Sequence, residues 1–280
     1  MATQIITDTS CDLPEEKLQM NNIEMIPLKV TFDNGETFLD RFELPPAVFV
    51  KKLAQSRVLS KTAAPDPQTF IEYFERGLRN VGSVVFVSLS SGLSSTYQTA
   101  QLACKMLGNE KVKVFDTLTA SLGTGIMAIK ANQFAKRGMA LEQIMARLHQ
   151  VRDTREVIFV LDTLENVVKG GRLSRMEGLA GNLLNIKPVL RGNQVGVPVI
   201  AEKLRGRKKA VRRMVDMLGE MVGESVRERI VGISHLNCEE DAHQLAREVQ
   251  QRYQPQEIII APMSATIGTY AGEGGLMINL

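Results

Sequence analysis

Long apolar runs are missing from this chain. No stretch approaches the roughly 18 to 20 apolar residues of a bilayer-spanning helix, which excludes an integral membrane segment and leaves at most transient contact with a membrane surface. The opening MATQIITDTSCD has neither a basic leader region nor a long apolar core, so a cytoplasmic location is expected. Cysteine is scarce. Cys11, Cys104 and Cys238 form an odd set without metal-like spacing, which argues against a disulfide framework or a zinc site and for free thiols. Charge excess is small as well: 34 Lys plus Arg against 31 Asp plus Glu give +3, too little for general nucleic-acid binding. Nucleotide motifs are also lacking. There is no Gly-Lys-Ser/Thr ending of a phosphate loop and no G-x-G-x-x-G, so no cofactor is implied, and the G-x-S-x-G elbow of a hydrolase is absent.

What the chain does have is length and apolar content. With 280 residues, 44% of them hydrophobic, it can build two domains of common size, each with its own core. Residues 84–107, VVFVSLSSGLSSTYQTAQLACKML, organise the reading. Residues 84–87 are a β-branched run of the kind buried on both faces of a parallel sheet, and 96–107 carry apolar residues at helical spacing. Between them stand Ser88, Ser90, Ser91, Gly92, Ser94 and Ser95. Such a turn points side-chain donors and unpaired helical N–H groups toward one place, where an anion would be favoured. The plainer alternative is that Ser94 or Ser95 caps the helix.

In chain order, a first strand over 3–7 ends in the polar cluster 7–12, either a ligand site at a strand's carboxyl end or the capped start of a helix opened by Pro14. Residues 23–32 form a second apolar segment, and Asp33-Asn34-Gly35 marks a hairpin. A helix over 44–55 follows Pro45-Pro46, then a rigid loop over 60–67 and a helix over 68–78. The strand, hydroxyl-rich turn and helix recur over 111–137. Strands alternating with helices imply a mostly parallel sheet, and a helix over 141–151 leads to a domain boundary at residues 152–154, dividing the chain into 1–153 and 154–280.

The second part opens with a strand over 156–161 and a basic loop, Lys169-Gly170-Gly171-Arg172-Leu173-Ser174-Arg175, which could hold an anion or terminate a helix. Residues 186–190 and 195–200 read as an antiparallel pair. Lys203 to Arg213 carry the densest charge and enter an amphipathic helix. Strands over 229–233 and 257–261 enclose a helix over 239–252, and residues 267–275 read as a glycine-rich loop before a last strand.

Taken together, ITDTSCDLPEE, IPLKVTFDNGETFLD, SSGLSSTYQTA, VFDTLTASLGTG, VVKGGRLS, LLNIKPVL, RGRKKA and IGTYAGEGGL resemble the DegV family of bacterial fatty-acid-binding proteins over essentially the whole chain. The resemblance implies two α/β domains, a long-chain fatty acid at the interdomain cleft with its tail buried mainly by the second, and a carboxylate held by Thr62 and Ser94, with Ser95 in the same turn. It also implies a carrier that is not itself an enzyme and that presents its ligand to a fatty acid kinase for phospholipid synthesis, with Arg172 and Arg205 near the head group or partner surface. The chain departs from the family pattern in two places. Ala63, Ala64, Pro65 and Asp66 replace Ser-Gln-Pro-Ser, which removes polar groups and brings a carboxylate nearby. Tyr270 replaces a histidine and Glu273 a proline in the closing loop, so a neutral donor stands where a cation could form.

Two readings compete with the carrier. An acyl hydrolase would use Ser94 as nucleophile and His235 or His243 as base, but both histidines, like His149, fall in helical or strand-end contexts. A nucleic-acid regulator would use residues 203–213, which lack interleaved aromatics and a helix-turn-helix signature.

Overall fold

A computed structural model describes residues 3–56, 58–173 and 186–280. The first half runs β1 (Gln4–Asp8), α1 (Glu15–Met20), β2 (Ile23–Ile26), β3 (Lys29–Thr31), β4 (Thr37–Leu39), α2 (Pro46–Gln55), β5 (Lys61–Ala63), α3 (Pro67–Val81), β6 (Val84–Ser88), α4 (Thr96–Leu107), β7 (Val112–Asp116), α5 (Leu122–Lys136) and α6 (Leu141–Asp153). The second runs β8 (Val157–Val160), α7 (Glu165–Lys169), β9 (Ile186–Gly192), β10 (Pro198–Arg205), α8 (Arg207–Val222), β11 (Ile230–His235), α9 (Glu239–Tyr253), β12 (Glu257–Pro262), α10 (Ala265–Ala271) and β13 (Leu276–Asn279).

The fold is α/β. One sheet is wholly parallel, in the order β2-β1-β6-β7, and helices flank it. Every residue of β1 and β6 is buried, which is why residues 84–87 read as an unbroken apolar run rather than an alternating one. The strand order reverses between β1 and β6, so the crevice beyond their carboxyl ends is where such a sheet binds ligands. Local signals set the helix ends. Asp66 caps α3 through a bond from Thr69 N at 3.0 Å, Pro67 follows in the first turn, and Gly82 closes the helix in the left-handed region.

The early excursion is a separate three-stranded antiparallel sheet, β4-β3-β5, with Gly35 at φ +84° in the hairpin. The apolar segment 23–32 is therefore two strands of different sheets, interrupted at Pro27, which has no N–H to continue a ladder. Residues 61–63, expected in a loop, pair with β3, because Thr62 between two small or flexible neighbours can adopt extended backbone after the bend at Val58.

The third sheet has the order β10-β9-β8-β13-β11-β12 and is mixed, with a single parallel pair, β11 with β12, among its described ladders. Two expectations shift here. β10 begins at Pro198 and reaches Arg205, so Lys203 and Arg205 lie on a strand, and Gly206 at φ +87° breaks the chain before α8. Residues 267–271, expected in a glycine-rich loop, belong to α10: Ser264 caps it, and Gly268 packs inside it against Phe49 and Leu236, so that glycine is there for close approach rather than for flexibility. Ser174 and Arg175 of the basic loop and Leu183 to Asn185 lie outside the described residues.

The two halves share core. Val30, Phe32, Leu44 and Phe49 of the excursion pack with Phe159, Leu161, Leu190, Ile267 and Met277 in one cluster, and Ile230 and Ile259 join the cluster of the parallel sheet.

Candidate functional site

The crevice at the switch point opens into a cavity of about 630 Å³, its open mouth included. Leu89, Leu93 and Ser94 line it from the β6–α4 turn, Ala120 from the β7–α5 turn and Thr62 from β5. The opposite wall is Phe159 and Leu161 of β8, Val167 of α7, Arg172, Pro198, Met277, and Thr266, Ile267, Tyr270 and Ala271 of α10. Aliphatic and aromatic carbon dominates, and among the described residues the polar side chains are four hydroxyls and one guanidinium.

Thr62 and Tyr270 meet across the cavity, Oγ1 to OH at 2.7 Å. Arg172 stacks its guanidinium on the Tyr270 ring, 4.3 Å from the centroid, and donates to Leu93 O at 3.1 Å and Gly170 O at 2.5 Å. One side chain thus ties the serine turn, the end of α7 and α10 together at the cavity rim. The helix-terminating reading of the basic loop holds, since Gly170 closes α7 through a bond to Asn166 O at 2.8 Å, and Arg172 then lines the cavity.

The hydroxyls of the serine turn divide their work. Ser90 Oγ donates to Gly196 O at 2.8 Å, joining the turn to the β9–β10 hairpin, and Ser88 Oγ donates to Leu89 O. Ser94 Oγ lies 2.9 Å from Thr96 Oγ1 and 3.3 Å from Thr96 N, a local turn that leaves it facing the cavity. Ser95 is the residue before α4 but caps it with no side-chain bond, and it is exposed outside the cavity. Of the sequence-derived residues, then, Thr62, Ser94, Arg172 and Tyr270 come together. Ser95 and Arg205 do not, and Arg205 stands exposed at the end of β10.

Asp66 does not face the cavity. It is exposed, caps α3 and lies 3.7 Å from Lys29, and its bond from Thr69 N holds its carboxyl below the usual range. No histidine lines the cavity among the described residues. His235 is buried at the end of β11, where desolvation lowers its pKa; His243 is exposed beside Glu239 on α9; His149 stacks edge-on against Phe115. A base beside Ser94 is therefore not among the described contacts, and the hydroxyl's partner is Thr96 instead.

Sequence reasoning missed a set of buried acids behind the site. Asp8 accepts from Ser10 and, at 3.0 Å, from Leu89 N; Asp12 accepts from Ser121 Oγ at 2.6 Å and Ser264 N at 2.8 Å; Asp40 accepts from Ala265 N at 3.0 Å and Thr266 N at 3.1 Å. The polar cluster after β1 is thus scaffold, holding the serine turn and the start of α10. Burial drives all three upward, Asp8 to about 6 and Asp12 to about 7. Asp8 and Asp12 stood in the sequence as a polar run, but nothing local told which backbone they would meet.

With this geometry in hand, similarity to known proteins is informative. A family model described as "Uncharacterised protein, DegV family" matches residues 2–279. Protein DegV of Bacillus subtilis is 33% identical over 278 residues, covering 99% of this chain and 98% of its own. Among solved structures, a DegV family protein from Thermus thermophilus, described for its fatty acid binding, has a TM-score of 0.92 at 28% identity, covering 100% of this chain and 99% of that one. The Fatty Acid Kinase (Fak) B3 protein of Streptococcus pneumoniae, loaded with linoleic acid, has a TM-score of 0.86 at 25% identity and covers 100% of this chain and 99% of its own.

Proposed function

The chain belongs to the DegV family, and from that premise we propose that it is a carrier of a long-chain fatty acid, gripping the carboxylate with hydroxyls and burying the tail in the cavity. The observation that carries this reading is the composition of the cavity lining: mostly apolar carbon, with Thr62, Ser94 and Tyr270 offering neutral donors near the Arg172 guanidinium. The fatty acids named for the Thermus and Streptococcus proteins support it.

The energetics divide between tail and head. Burying a chain of about sixteen carbons yields roughly 12 kcal/mol at about 0.8 kcal/mol per methylene, against an association cost of about 4–15 kcal/mol. Affinity therefore rests on the tail and orientation on the head. Hydroxyls suit the head because a charge-assisted bond to a carboxylate is stronger than a neutral one, yet no proton needs to be exchanged. Binding without turnover accords with Ser94 having Thr96 rather than an imidazole beside it.

The proposed division into residues 1–153 and 154–280 follows sheet membership, since strands through β7 build two sheets and strands from β8 build the third. Presentation to a partner kinase is part of the same proposal, by likeness to the Streptococcus protein. Arg205 is then available to the partner on the surface, and Arg172, whose planar fork matches a phosphate bidentately, stands at the rim.

Titrating oleate into delipidated protein tests the head-group assignment. Ser94→Ala and Thr62→Ala each remove one hydroxyl that meets a charge, so each should weaken binding by about ten- to a hundredfold. Unchanged affinity in both, with the fold intact, removes the assignment.

A further inference from the structure

We propose that Thr266 supplies a further hydroxyl donor to the ligand's carboxylate, which makes it a specificity-determining residue for an acid over other head groups. This rests on the fatty-acid reading above. Thr266 is 4% exposed and lines the cavity, and its Oγ1 is buried with no hydrogen-bond partner. Buried hydroxyls are kept unpaired only rarely, so a donor of this kind facing an apolar cavity calls for a ligand atom.

Ser264 N is taken by Asp12, and Ala265 N and Thr266 N are taken by the two oxygens of Asp40, so the start of α10 is held in place without using the Thr266 side chain. Asp40 competes for this hydroxyl, which lies close enough to its carboxylate to lower its proton affinity, although no contact between the two meets the distance and angle of a hydrogen bond. Thr266 and Tyr270 are four residues apart, so they project from one face of α10 a single turn apart, the turn that also carries Ile267 and Ala271 to the cavity.

Counting protons gives the same answer. An ionised carboxylate has about four acceptor positions. Thr62 and Tyr270 spend one proton on each other and leave one; Ser94 and Thr96 do likewise. Two hydroxyl donors beside the Arg172 guanidinium still leave acceptor positions of a buried charge to be met, and Thr266 provides a third hydroxyl. A fatty alcohol, with one oxygen and no charge, gains far less from it.

The test measures the affinity of delipidated full-length protein for oleate and for oleyl alcohol, in wild type, Thr266→Val, Thr266→Ser and Thr62→Val, with thermal melts of the lipid-free proteins. Thr266→Val should weaken oleate binding by about ten- to a hundredfold and alcohol binding much less, with the lipid-free melting temperature unchanged and Thr266→Ser restoring oleate binding to within about threefold of wild type. Thr266→Ala takes its place if the valine variant does not fold. Oleate affinity unchanged in Thr266→Val while Thr62→Val weakens it overturns this inference and leaves the head-group site standing. A lower lipid-free melting temperature with unchanged affinity also overturns it, and assigns the hydroxyl to Asp40. Failure of the wild type to bind oleate at all overturns the inference together with the reading beneath it.

Discussion

Between the Thr62 and Tyr270 hydroxyls one proton lies on the 2.7 Å line that joins them and one is left over. Either oxygen can be the donor, and because a phenol is the stronger acid of the two we expect Tyr270 to donate and Thr62 to keep its proton for the proposed ligand. Tyrosine in place of the family's histidine therefore extends the hydroxyl set and adds no positive charge. Tyr270→Phe keeps the ring that Arg172 stacks on and should weaken oleate binding by less than tenfold, whereas Thr62→Val should exceed that; calorimetric titration of both variants checks the order. The reverse order would assign the free proton to Tyr270.

Buried acids give a second prediction at this scale. Desolvation raises Asp12 to about 7 in the folded state, above its unfolded value, so the folded protein binds a proton that the unfolded chain releases. That contribution to stability is fully present below the unfolded pKa and is lost as pH rises through about 7. Folding stability should fall between pH 4 and pH 7 with a slope of at most about 1.4 kcal/mol per pH unit from this group, and Asp12→Asn should flatten that part of the profile. Urea melts at several pH values check it; identical slopes in both proteins would deny Asp12 the role.

At the scale of elements, α10 shows what a short helix can hold and why it escaped a reading by pattern. Its seven residues contain a glycine, three β-branched residues and a tyrosine, a poor helix by propensity. It forms because Asp12 and Asp40, more than 220 residues away in sequence, hold its first N–H groups, a long-range fact with no local trace. A Cβ on Gly268 would come to 2.6 Å from Phe49 and 3.0 Å from Leu236. Gly268→Ala should therefore cost about 1–3 kcal/mol of stability by overpacking, read from the urea midpoint, although alanine is the better helix former. A stabilised variant would mean that the contact relaxes freely.

Longer elements were legible because they repeat their own signal. The helix of 96–107 has the limits its spacing predicts, and β6 shows as an apolar run because both faces of a parallel sheet are covered there. β5 was hidden, since three residues beside Pro65 carry no period. At the site, Thr62, Ser94, Arg172 and Tyr270 were named from family motifs, while Thr266 was not, because only burial and an unmet hydroxyl set it apart.

For the whole molecule, the halves are joined in ways that shape the cavity. The excursion β3-β4-β5 belongs to the first half in sequence but shares a core with β8, β9 and α10, which brings Thr62 to Tyr270. The serine turn in its turn reaches the β9–β10 hairpin through Ser90, and Gly92 fits beneath Val195 and Val197 where a side chain would collide. The proposed head-group donors thus come from both halves and the apolar walls mostly from the second, so the proposed carrier would hold its carboxylate near the rim where Arg172 stands.

Mass spectrometry of an organic extract of the purified protein, wild type beside the Thr62→Val/Ser94→Ala double variant, bears most directly on the central claim. Long-chain monocarboxylic acids close to one per wild-type protein, and strongly depleted in the double variant at equal folded concentration, are the expected result. No long-chain acid in the wild type, or an acid retained in equal amount by both proteins, would contradict a carrier that holds its ligand by these hydroxyls.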